Sequence, residues 1–134
     1  MRNIEEKYSL KPGDVLVCNK SIFGMIEHLG LYVGNGSVID NHPERGVSLI
    51  KLSKFLDDGS IKRVIRTRGG SRLRDNIVNK AYSYIGEKYH LTNFNCEHFV
   101  NEVRGLGRKS DQVAVYGGLA LSALVVWGIS KMSK

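Results

Sequence analysis

The stretch Asn95-Cys96-Glu97-His98-Phe99-Val100 joins a nucleophile to the start of a helix. Asparagine is a favoured N-cap, so Cys96 is expected to open a helix that runs to about Arg104 and closes at Gly105. Unpaired N–H groups and the positive end of the dipole would then face its sulfur and favour the reactive thiolate. The same N–H groups could hold an oxyanion formed on an acyl carbonyl. Phe99, Val100 and Val103 follow Cys96 at i+3, i+4 and i+7, which puts the thiol on the buried helical face. A cysteine so placed, taken alone, reads more readily as a core residue. Thiol chemistry needs a base.

His28 supplies one. Residues 28–33 (HLGLYV) alternate, with Leu29, Leu31 and Val33 on one face and His28, Gly30 and Tyr32 on the other. The leucine face is the core face, so His28 points elsewhere, beside a glycine that leaves room for an approaching group. The turn Gly34-Asn35-Gly36 sets what lies opposite. A two-residue loop, Asn35-Gly36, pairs Leu31 with Asp40 and buries a carboxylate among leucines. A three-residue loop pairs Gly30 with Asp40 and His28 with His42, and it keeps Ile39 with the leucines. The second register breaks fewer burial rules. It sets Asp40 diagonally across from His28, where it could orient the imidazole and stabilise its protonated form. His42, on the same face, is the alternative orienter. His98 follows Cys96 by two positions and is expected to point away from the sulfur, and His90 falls in a loop. The Cys and His spacings match no zinc site, so neither metal nor cofactor is expected.

These residues need a scaffold. Lys11-Pro12-Gly13-Asp14 reads as a turn, and Val15 to Cys18 as a strand with Cys18 packed as a small hydrophobe. Further strands are expected at 28–33, 37–41, Val47 to Leu52 and Ile61 to Arg66, with a helical turn over Ser53 to Asp58. Leu73, Ile77, Ala81, Tyr84 and Ile85 recur at helical spacing over 73–86, and Gly86 is a stop. Strands first and helices later indicate an α+β domain on an antiparallel sheet.

The chain has 134 residues, enough for one domain with a core, and carries a formal charge of +7 from 20 Lys+Arg against 13 Asp+Glu. Residues 61–74 hold Lys62, Arg63, Arg66, Arg68, Arg72 and Arg74 and no acid. No aromatics interleave with these bases, so an anionic lipid surface is a better partner than nucleic acid, with Arg66, Arg68 and Arg72 as its phosphate contacts. Residues 1–14 have no apolar secretory segment, and the two cysteines are expected as free thiols in a cytosolic-facing domain.

The end of the chain differs. Val113 to Ile129 is a run of 17 residues without a charge. As a helix it would span roughly 26 Å, the short end of what crosses a bilayer. Arg104, Arg108 and Lys109 precede it, Lys131 and Lys134 follow, and Tyr116 and Trp127 lie near its ends. The expected organisation is a thiol-enzyme domain over 1–110 and a membrane-anchor helix over 111–134, on the cytoplasmic face of a membrane.

Four blocks carry a family likeness: Lys11-Pro12-Gly13-Asp14, His28 to Gly36 (HLGLYVGNG), Asn95 to Glu102 (NCEHFVNE), and Arg108 to Val113 leading into the apolar tail. In these the chain resembles the lecithin:retinol acyltransferase-like family, and within it the HRAS-like suppressor group of phospholipase A and acyltransferase enzymes. The resemblance implies a permuted papain-like α+β fold related to the NlpC-type peptidases, with the histidine ahead of the cysteine. It implies Cys96 as nucleophile and His28 as base. The implied reaction moves a fatty acyl chain from a glycerophospholipid through an acyl-cysteine to water, an amine or a lysolipid. Many members have a second histidine twelve positions after the first, and here that position is Asp40. Two other readings share these residues: a cysteine peptidase or amidase of the wider superfamily, and a non-catalytic membrane or host-factor binding module. Acyl donor, acceptor and oligomeric state are open at this level.

Overall fold

The computed structural model describes residues 3–18, 27–57, 60–90 and 92–106. Strands β1 (Val15–Cys18), β2 (His28–Gly34), β3 (Ser37–His42), β4 (Gly46–Lys51) and β5 (Ile61–Ile65) form one antiparallel sheet in the order β4-β3-β2-β1-β5. Helices α1 (Ile4–Lys7), α2 (Leu52–Leu56), α3 (Ser71–Ser83) and α4 (Cys96–Val103) complete the described chain. The α+β architecture expected from the sequence is present.

β1 lies between β2 and β5 and is buried along its whole length, which suits its unbroken apolar run Val-Leu-Val-Cys. Its two faces feed two cores. Val15 and Val17 join Leu29, Leu31 and Ile39 beneath α3 and α4, against Ile77, Ala81, Phe99, Val100 and Val103. Leu16 and Cys18 join Tyr32 and Val38 on the other face, covered by Leu52 and Phe55 of α2.

The β2–β3 hairpin combines the two geometries weighed from the sequence. Its turn is the two-residue Asn35-Gly36, both at positive φ (51° and 68°), and Gly34 pairs with Ser37. A bulge between Tyr32 and Gly34 then shifts the ladder by one residue, so that Gly30 pairs with Asp40 and Leu31 with Ile39. The extra residue takes the Asp40 carboxylate off the leucine face.

α3 departs from its expected bounds. It starts two residues early, after Gly70, and stops at Ser83. Gly86 takes φ 103° and donates its N–H to Val47 O (2.9 Å), while Val47 N–H donates to Glu87 O (2.8 Å). The chain thus leaves the helix to dock on β4. Ile77 and Ala81 are buried, but Leu73 and Ile85, which the spacing assigned to the core, are exposed. The short α1 was not foreseen. Asn3 caps it, and Glu5 accepts a hydrogen bond from Tyr32 Oη (2.6 Å).

Asp14, fully buried in the Lys11–Asp14 turn, ties three segments together. Its carboxylate accepts from the backbone N–H of Lys11 (3.0 Å) and Thr67 (3.1 Å), from Arg66 Nη1 (3.1 Å) and from Arg74 Nη1 (2.9 Å). Burial alone would raise its pKa, but these four donors outweigh it and hold the carboxyl below its ordinary 3.8. A depressed carboxyl stabilises the fold above its unfolded pKa, and that contribution is lost as pH falls through the folded value. Asp14→Asn is expected to cost about 3 kcal/mol at neutral pH in urea unfolding. The gap between the two proteins should narrow only below about pH 4, in the window that this shift sets.

Candidate active site

The start of α4 is fixed from three directions. Asn95 Oδ1 accepts from the N–H of Glu97 (3.0 Å) and His98 (2.9 Å), and His98 Nδ1 accepts from Asn95 N–H (3.0 Å). This is a capping box with histidine in the place usually held by Glu or Gln. His98, expected only to point away from the thiol, is therefore a buried lock on the helix start. His90 and Phe94 exchange backbone hydrogen bonds (2.8 and 2.7 Å) and pinch the preceding loop closed. Asn41 of β3 donates its Nδ2 to Phe94 O (2.8 Å) and Asn95 O (3.3 Å). Sequence reasoning passed over Asn41. The signal was available: the register that keeps Ile39 with the leucines puts Asn41 on the same buried face, where a polar side chain needs a partner.

Cys96 is the first residue of α4 and is fully buried. The helix N-terminus is as expected, but its donors are partly committed. The N–H groups of Glu97 and His98 are bound to the Asn95 side chain, and that of Phe99 to Asn95 O. These three do not form the oxyanion cradle that the sequence suggested. The helix dipole still points its positive end at the thiol.

His28 is buried at the start of β2, and its Nε2 meets Asp40 Oδ2 at 2.8 Å. Burial alone would lower the imidazole pKa. Asp40 and the Cys96 sulfur together outweigh burial and raise it from 6.5 to about 9. The structure therefore joins His28 to Asp40 directly and sets Cys96 close enough to act on the imidazole, while Nδ1, the nitrogen left for the thiol, makes no hydrogen bond among the described residues. His42 belongs to the same cluster without bonding to His28. Its ring meets that of His28 edge-on, centroids 5.7 Å apart, and its Nδ1 accepts from Glu44 N–H (3.0 Å). Burial, then Arg45 and His28, keep the His42 pKa below its ordinary value.

The space beside Gly30 is filled from within. A Cβ at Gly30 would lie 2.6 Å from the Phe55 ring and 2.7 Å from a Val38 methyl. Phe55 uses the gap to lie on the imidazole, ring centroids 5.4 Å apart and tilted by 30°. The glycine admits α2, not an external group.

The basic stretch is more divided than its composition suggested. Lys62 and Arg63 pair with Glu27, and Arg66 and Arg74 with Asp14. Arg66 also donates to the carbonyls of Ser9 and Tyr8. Arg68 and Arg72 are exposed and make no ion pair among the described residues. These bases also stand apart from the thiol. β1 pairs Val15 with Ile65 but Cys18 with His28, so Arg66 onward emerges at the end of the sheet away from His28, about 10 Å along the strand. There Arg66, Arg68 and Arg104 border a cleft of about 330 Å³ with Leu73, Ile77 and Leu106. Among the described residues no helix is long and apolar enough to cross a membrane. The anchor expected over 111–134 lies outside the described residues.

A raised histidine pKa stabilises the folded state fully below the unfolded value of 6.5, and that contribution is lost as pH rises through about 9. Between these values the protein should lose on the order of 3 kcal/mol of stability in denaturant titrations. Asp40→Asn should flatten that decline.

Comparison with known proteins assigns the chain to a family. The family model described as lecithin retinol acyltransferase matches residues 8–108, a span that contains β1 to β5 and α2 to α4. The chain is 28% identical to human phospholipase A and acyltransferase 3, with 89% of each chain covered. It is 30% identical to the mouse protein of that name, with 89% of each covered. It is 32% identical to human phospholipase A and acyltransferase 4 across 90% of this chain and 88% of that one. The match over residues 8–108, which includes the buried histidine–carboxylate pair and the helix-opening cysteine, shows that the chain belongs to the lecithin retinol acyltransferase family.

Proposed function

We propose that the protein is a thiol-dependent phospholipase A and acyltransferase, with Cys96 as nucleophile, His28 as base and Asp40 orienting the imidazole. The observation that carries this reading is the 2.8 Å contact of His28 Nε2 with Asp40, made by a ring that also interacts with Cys96. With Nε2 committed to Asp40, the raised proton affinity of His28 lets Nδ1 keep the proton that Cys96 gives up, and Sγ attacks the ester carbonyl of a glycerophospholipid. The tetrahedral intermediate collapses to an acyl-cysteine, and the departing lysolipid oxygen receives the proton from Nδ1. Water, an amine or a lysolipid then gives its proton to Nδ1 and attacks the thioester, and the expelled thiolate takes that proton back from Nδ1. The order of histidine strand before cysteine helix supports the permuted papain-like class. The names of the relatives support phospholipid as the substrate class.

Intact-mass spectrometry after incubation with phosphatidylcholine tests the mechanism. The wild-type protein should gain one acyl group and Cys96→Ala none. An adduct on both, or fatty-acid release at equal rates, would remove the thiol from the reaction.

The complete burial of Cys96 favours a second reading, a non-catalytic binding module that keeps the fold. Its mark is full biological activity in Cys96→Ala.

Membrane association belongs to the same proposal. Residues 111–134 anchor the domain at a cytoplasmic leaflet, and the exposed Arg68 and Arg72 add attraction to anionic headgroups, on the order of 1 kcal/mol each. Arg66, spent on Asp14, contributes less than its charge suggests. These bases tether the end of the domain opposite the thiol, so they do not press the site mouth onto the bilayer. Arg68→Ala/Arg72→Ala should weaken binding to anionic vesicles in sedimentation by roughly thirtyfold and leave binding to neutral ones unchanged.

A further inference from the structure

One arginine stands behind the catalytic set. Arg45 lies in the turn between β3 and β4, where its N–H donates to His42 O (3.2 Å). Its Nη2 reaches Asp40 Oδ2 at 3.1 Å and Oδ1 at 3.4 Å, and its Nε reaches Ser48 Oγ at 3.4 Å. Asp40 is 1% exposed and Arg45 31% exposed, so the guanidinium covers a carboxylate that is otherwise enclosed. Oδ2 is shared: His28 Nε2 approaches at 2.8 Å and Arg45 Nη2 at 3.1 Å.

We propose that Arg45 is the positioning residue of this site, aiming the Asp40 carboxylate at His28 and balancing its charge so that the imidazole can give up its proton during turnover. Buried charge makes such a counterion necessary. A lone carboxylate against His28 Nε2 would favour the imidazolium more strongly still, and a proton held that tightly passes slowly to the departing oxygen. A cation on the far side of the carboxylate offsets that pull without breaking the contact that orients the ring. Nη2 spans both carboxylate oxygens, which also limits rotation of the carboxylate.

Other charged groups face His28. His42 and Glu44 come from β3 and its turn, Lys54 and Asp57 from α2 and its end, and Cys96 from α4. With Asp40 and Arg45, the first four border a polar cavity of about 200 Å³ beside the imidazole. Among the described residues of this group, Arg45 and His28 are the ones whose nitrogens pair with Asp40.

The proposal rests on the acyl-transfer reading only where activity is measured, so the test has two arms. In the first, His28 is titrated by NMR in Cys96→Ala and in Cys96→Ala/Arg45→Gln, which keeps a hydrogen-bonding side chain but no charge. Removal of the cation should raise the His28 pKa by about one unit. An unchanged or lowered value overturns the proposal, whatever the protein catalyses. In the second arm, turnover on phosphatidylcholine is compared across Arg45→Gln, Asp40→Asn and the double variant, each checked for folding by circular dichroism. Arg45→Gln should lose roughly tenfold at neutral pH and shift the rising limb of kcat/KM upward. Arg45→Lys should restore part of the rate. In the Asp40→Asn background Arg45→Gln should change little. Equal losses in both backgrounds overturn the proposal, because they would place Arg45 outside the Asp40 interaction.

Discussion

The β2–β3 register is the constraint on which the site depends. Side chains alternate across a sheet, so a slip of one residue would turn every member of β3 to the opposite face. The bulge between Tyr32 and Gly34 sets the alignment of Gly30 with Asp40. It sends Asp40 and His42 toward His28, and Asn41 toward the loop that carries Asn95. One irregular residue thus serves two purposes. It aims a carboxylate at the imidazole on one face and gives the cysteine helix a handhold on the other.

The set also contains several charged or polar groups that water does not reach, and most are compensated locally; His28 Nδ1 and Asn41 Oδ1 make no hydrogen bond among the described residues. Asp40 meets two donors, His28 and Arg45. Asn95 and His98 satisfy one another at the helix start. Asp14 repeats the pattern at the far end of the domain with four donors. A buried ion without partners would cost several kcal/mol, a large share of a domain's net stability. These polar clusters therefore bind distant segments: the Lys11–Asp14 turn to β5 and α3 in one case, β2 to β3 and its turn in the other.

Much of this was legible from residue order, because periodicity reports burial directly. The five strands, the placing of Cys96 behind an Asn95 cap, and Asp40 over His42 as the partner of His28 all follow from alternation and the cost of burying charge. What could not be read depended on contacts distant in sequence. The length of α3 is set by Gly86 docking on β4. The use of the Gly30 gap is set by Phe55, twenty-five positions on. The commitments of Lys62, Arg63 and Arg66 are set by Glu27 and Asp14, so local composition overstated the free charge of residues 61–74. Arg45 was missed because nothing about a turn arginine announces which carboxylate it will cover.

Phe55 has a consequence for how protons move. With its ring on one side of the imidazole and Asp40 holding Nε2, His28 cannot rotate to exchange its two nitrogens without displacing α2. A histidine free to flip could collect a proton on one side of a site and deliver it on the other. Under the proposed mechanism, collection and delivery fall to the same nitrogen, at the same spot. For the proposed reaction, an incoming acceptor must therefore occupy the position that the departing lysolipid has left, and the two half-reactions are obliged to take turns.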